Sequence, residues 1–151
     1  MIKSLNIILI FVIIVSCNYK QKHNNNHDYL MHKHNSTTDP KLKESMNRGK
    51  LVYEDMCITS HMANGKGATN IFPPLANSDY LKNDQYASIR AIKNGVSGEI
   101  IVNGITYNSV MNPMGLSNEE VADVMNYINN SWENTYGKTL TAEEVTKVIK
   151  K

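Results

Sequence analysis

Cys57-Ile58-Thr59-Ser60-His61 sets a thiol, a hydroxyl and an imidazole within little more than one helical turn. The thiol is a nucleophile and the imidazole a metal donor. The spacing is that of C-x-x-C-H, in which two thiols add to the two vinyl groups of a haem and the histidine becomes an axial iron ligand. One position differs, because Ser60 stands where the second thiol belongs. A serine oxygen is a poor partner for that addition, so at most one thioether can form, through Cys57. The five residues alone leave two readings: haem held by one covalent bond, or a haem-binding shape without the haem.

Whatever holds this segment must be small and helical. The stretch 42–56 puts Met46, Gly49, Tyr53 and Met56 on one stripe at three- and four-residue steps. The stretch 63–82 reads as loop, with Gly65, Gly67, Pro73 and Pro74. A second helix spans 84–94, with Tyr86, Ile89 and Ile92 inward and Gly95 as its stop. The period then changes to that of strands: 99–102 and 105–107 flank Asn103-Gly104, a strong hairpin signal. Ser117 and Glu120 form a capping box for a helix whose apolar stripe is Val121, Val124, Met125, Ile128 and Trp132. Thr141 and Glu144 open a short last helix with Val145, Val148 and Ile149.

The chain has 151 residues, enough for one domain. Its first residues are of another kind. Lys3 precedes an apolar run from 5 to 15, and Ser16-Cys17 follows, as in a secretory signal. The ending Ile14-Val15-Ser16-Cys17 is similar to a bacterial lipobox, in which cleavage after 16 leaves Cys17 carrying lipid. An ordinary signal peptide with a chance cysteine, or an uncleaved anchor, are the other readings. If Cys17 is acylated, Cys57 has no intramolecular partner, and the odd thiol needs another use. Residues 18–40 are almost wholly polar and cannot bury enough apolar surface to order themselves. As a coil they span roughly 25 Å on average and about 75 Å when stretched. They read as a tether, with 1–16 as signal and 41–151 as the folded domain. His23, His27, His32 and His34, with Met31, could take copper or zinc, but their spacing fits no closed site. The net charge of +2 falls to +1 without Lys3, and no basic block or aromatic platform implies nucleic acid.

Read in order, the chain from about 43 to 132 resembles the class I cytochromes c. Gly49 and Tyr53, eight and four residues before Cys57, match the family's N-terminal helix, and Val124 and Tyr127 match the positions packed against them. Phe72-Pro73-Pro74-Leu75 resembles the loop in which a proline carbonyl accepts from the proximal histidine and a leucine lies on the haem face; Pro73 and Leu75 are those positions. The run 116–124 and the ending Asn129-Asn130-Ser131-Trp132 resemble bacterial members. The resemblance implies an all-α fold with a short β-hairpin insertion before the sixth-ligand loop, and a haem c held by Cys57 with His61 as proximal ligand. It also implies a methionine sixth ligand. Met111 stands six residues ahead of Ser117, as in the family, with Asn112 where a proline is usual; Met114 stands only three ahead.

The expected function is one-electron transfer in the bacterial envelope, on its periplasmic side, with membrane-bound or periplasmic redox proteins as partners. With His61 and Met111 filling both axial positions, no enzymatic site is expected. Two other readings stand beside this one. A haem-deficient or metal-binding lipoprotein would use the His-rich tether, and a peroxidase-type enzyme would need an open distal side at the iron.

Overall fold

A computed structural model describes residues 39–150. Its six helices and one hairpin follow in the order α1 (Pro40–Met56), α2 (Ile58–His61), α3 (Asp79–Asn83), α4 (Gln85–Asn94), β1 (Ile100–Val102), β2 (Ile105–Tyr107), α5 (Asn118–Asn129) and α6 (Ala142–Ile149). The signal, Cys17 and the histidines of the tether lie outside the described residues. Among those described, no helix is long and apolar enough to cross a membrane.

The scaffold is the crossing of α1 and α5. Helix α1 starts at Pro40, two residues earlier than the stripe alone predicts, because Asp39 caps it and proline suits a first turn. Ser45, Gly49 and Tyr53 form its buried face at four-residue steps. A Cβ on Gly49 would collide with the Asp123 carbonyl of α5, so only glycine lets the two backbones meet this closely. Helix α5 carries the expected capping box, and Val121, Val124, Met125 and Ile128 are buried.

Polar groups also bind this crossing, and the apolar pattern gives no hint of them. Asp123 accepts from Ser45 Oγ at 2.6 Å and from Arg48 Nε at 2.7 Å. Asn126 Nδ2 donates to Ser45 Oγ at 2.8 Å and to the Leu140 carbonyl at 2.9 Å. Buried polar atoms are tolerated here because they are paired.

The expected hairpin forms around Asn103-Gly104, with Ile100 opposite Tyr107 and Val102 opposite Ile105. Asn103 and Gly104 both have positive φ, 52° and 76°, as a tight two-residue hairpin turn requires. Two strands of three residues are marginal alone. This pair leans on α3: Asn103 N donates to Asp79 Oδ1 at 2.7 Å, and Asp79 N donates to Asn103 Oδ1 at 2.9 Å.

Three expectations need correction. The stretch 63–82 is not all loop, since Ser78 caps α3 by accepting from Leu81 N and Leu81 is buried. Tyr86 does not face inward; it is 56% exposed, while Ile89 and Ile92 are buried as expected. Trp132 lies beyond the end of α5, at positive φ, and reaches the core from a turn.

Candidate functional site

An apolar cleft of about 280 Å³ opens between α2, α4, the hairpin and the segment before α5. Cys57, Ser60, His61, Pro73, Leu75 and Met111, all singled out from sequence, line it together, and Met114 lines it too.

The chain from 57 to 76 builds the histidine wall. His61 N donates to the Cys57 carbonyl at 2.9 Å, which closes the short helix α2. Met62 ends it in a backbone conformation that side chains rarely adopt, φ 64° and ψ 160°. The Tyr53 hydroxyl braces this residue by donating to its carbonyl at 2.7 Å. Gly67 N then donates to the His61 carbonyl at 3.0 Å, and Leu75 N and Ala76 N both donate to the Gly65 carbonyl. A Cβ on Gly67 would run into the carbonyls of Phe72 and Pro73, so the loop folds back only with glycine here.

That fold places the Pro73 carbonyl 2.9 Å from His61 Nδ1. A carbonyl can only accept, so Nδ1 carries the proton and Nε2 is the free donor atom. Burial lowers the His61 pKa, partly offset by the bond to Pro73, so the ring is neutral and suited to ligate a metal. Cys57 and His61 are each 9% exposed. Cys57 forms no disulfide among the described residues, and burial pushes its thiol up to about 11.

Another wall is the segment 109–114. Met111 pairs in an isolated bridge with Val96, giving and taking backbone hydrogen bonds at 2.9 and 2.8 Å. Met114 N donates to the Ile92 carbonyl at 3.1 Å. Both methionines are partly buried against the core.

Tyr53, Tyr127 and Trp132 pack behind the histidine wall, with ring centroids 5.1 to 5.7 Å apart. Trp132 Nε1 donates to the Ala63 carbonyl at 3.0 Å. The Tyr53–Tyr127 contact was expected from the resemblance; the role of Trp132 as a brace was not. Sequence reasoning also missed Val102 and Tyr107, which line the cleft from the hairpin, and Met56, which is 41% exposed at its rim. For Val102 and Tyr107 the only signal was inward alternation along two short strands, and for Met56 its place on the helical stripe of 42–56.

A haem fits this donor set: an apolar slot, one unpaired thiol, a free imidazole nitrogen and a thioether wall. Comparison with known proteins agrees. A sequence model of the cytochrome c family matches residues 46–132. Cytochrome c-552 of Thermus thermophilus is 36% identical over 110 residues, which cover 66% of this chain and 82% of that protein. The chain belongs to the class I cytochrome c family. The family's haem c is covalently attached and carries electrons. The cytochrome c subunit of a quinone alcohol dehydrogenase from Gluconobacter oxydans is 30% identical over 105 residues, 68% of this chain but 22% of that protein. Its counterpart from Gluconacetobacter polyoxogenes is 30% identical over 125 residues, 76% of this chain and 26% of that protein.

Proposed function

We propose that this cytochrome c holds its haem through Cys57 alone, with His61 and Met111 as axial ligands, and shuttles single electrons in the bacterial envelope. The observation that carries the reading is the His61 Nδ1–Pro73 carbonyl bond at 2.9 Å on the wall of a cleft that also contains Cys57 and Met111. When bound, the haem supplies a one-electron iron couple. The rest is done by this chain. Cys57 supplies the single thioether, and Ser60 leaves the second vinyl group unreacted. His61 is held neutral and oriented by Pro73, and Leu75 gives the slot an apolar face. Met111 supplies a weakly donating thioether that favours reduced iron, and burial excludes water.

With both axial positions taken, no iron site remains for a substrate, so the role is transfer rather than catalysis. The lipobox-like 14–17 and the polar tether support a lipid-anchored protein on the periplasmic side, where a leash raises the effective concentration of redox partners. The two relatives named as dehydrogenase subunits make a quinone alcohol dehydrogenase one class of electron donor to test.

Met111→Ala tests the ligand assignment. The reduction potential should fall, the near-red sulfur-to-iron band should vanish, and ferric iron should bind added imidazole. Unchanged ligation would move the sixth ligand to Met114.

A further inference from the structure

The segment that carries Met111 receives one hydrogen bond from a side chain among the described residues. Lys93 Nζ donates to the Leu116 carbonyl at 2.6 Å across 23 positions of chain. Lys93 sits in the last turn of α4, where its charge also suits the helix's negative end. The bond completes a set. Val96 fixes Met111, the Ile92 carbonyl fixes Met114, and Lys93 fixes Leu116, just ahead of the Ser117 cap. The far end of the segment is thereby tied to the same helix end as its start. Lys93 also lies near the α5 capping box: the carboxyl of Glu120 is held below its usual range chiefly by Ser117, with a smaller contribution from Lys93.

Gly95 makes this junction sterically close. It has φ 77°, and a Cβ there would sit 2.5 Å from the Met111 carbonyl and 3.0 Å from the Pro113 ring. The end of α4 therefore presents to the methionine segment a backbone pair, a close glycine contact and one charged donor. Of these, only the charged donor depends on a replaceable side chain.

We infer that Lys93 is a positioning residue for the sixth ligand: by clamping Leu116 it holds the 111–116 segment closed over the cleft and sets how readily Met111 leaves the iron. This rests on the proposal that Met111 is that ligand. A segment tied at 111, 114 and 116 opens only when the third tie breaks as well. Hydrogen bonds from charged donors are among the stronger ones, so the open population should rise about tenfold when this bond is lost. An added ligand that binds only the open form gains apparent affinity by the same factor.

The test uses the full-length, haem-loaded protein and ferric imidazole titration. Lys93→Met keeps the apolar stem and removes the donor. It should bind imidazole about tenfold more tightly than the parent, with faster amide exchange at Met111 and Met114. Lys93→Arg, which keeps a charged donor, should recover most of the parental affinity. Arg48→Ala loosens the distant α1–α5 crossing and serves as the stability control; its imidazole affinity should match the parent's. Parental affinity in Lys93→Met would overturn the inference, and so would an equal gain in Arg48→Ala. If the sulfur-to-iron band survives in Met111→Ala, the ligand assignment fails instead, which separates the two failures.

Discussion

The hydrogen bonds made by His61 all stay within residues 57–76, whereas the segment carrying Met111 is tied to α4 and the residues just beyond it, up to 23 positions away. The backbone bonds of the histidine wall follow one another along the chain, through α2, the Gly65 and Gly67 turns and the Pro73 carbonyl. Trp132 and Asn134 tie it from beyond α5 by donating to the carbonyls of Ala63 and Leu75. The methionine wall has almost no structure of its own and takes its shape from the end of another helix. His61 and Met111 therefore line one cleft with different kinds of support. The hydrogen bonds of His61 itself are local, whereas those of the Met111 segment are long-range and can be loosened one at a time.

The largest effect should come from Cys57, at the start of the histidine wall. Cys57→Ser tests the proposed covalent bond: haem should become fully extractable by acid-acetone and largely lost on purification. Covalently retained haem in that variant would show that another residue makes the bond.

Next in size are the two glycines on which the walls turn. Gly67→Ala and Gly95→Ala each force a side chain into positive φ and against backbone or ring atoms, at a cost of about 3 kcal/mol of unfolding free energy. Denaturant titration should give similar losses, and spectroscopy should separate them. Gly95→Ala should weaken the sulfur-to-iron band and leave histidine ligation intact. Gly67→Ala should disturb the histidine side and spare Met111. If both variants lose both ligands, the two walls are one cooperative unit and the contrast fails.

The smallest effect tests the brace behind the histidine wall. Tyr53→Phe removes the donor to the strained Met62 carbonyl and should cost about 1 kcal/mol by denaturant melt, with the ring stack on Tyr127 and Trp132 retained. No loss would mean that the Met62 conformation is held by the local turn alone.

The same contrast governs what could be read in the sequence. Gly49, Tyr53, Pro73 and the capping box of α5 were legible because each acts over a few residues or matches a known family pattern. The hairpin was legible because Asn103-Gly104 specifies its own turn. Lys93 was not: a lysine in a last helical turn looks like an ordinary solvated charge, and only the fold brings it to Leu116. Asp123 was hidden for a related reason, since a carboxylate on a buried helix face makes sense only once Ser45 and Arg48 are seen opposite it. Tyr86 misled because helical spacing cannot tell a core aromatic from one at the edge of the apolar face. Helix α3 was missed because five residues carry too little periodicity to register.

The replacement at Ser60 is the feature on which the haem chemistry turns. The most direct measurement is the pyridine haemochrome spectrum of the exported, full-length protein, taken before and after acid-acetone extraction. Attachment through Cys57 alone predicts haem that stays with the polypeptide and absorbs to the red of a doubly attached haem c, because one vinyl group remains unsaturated. Haem that extracts freely, or purified protein with no Soret band, would contradict it.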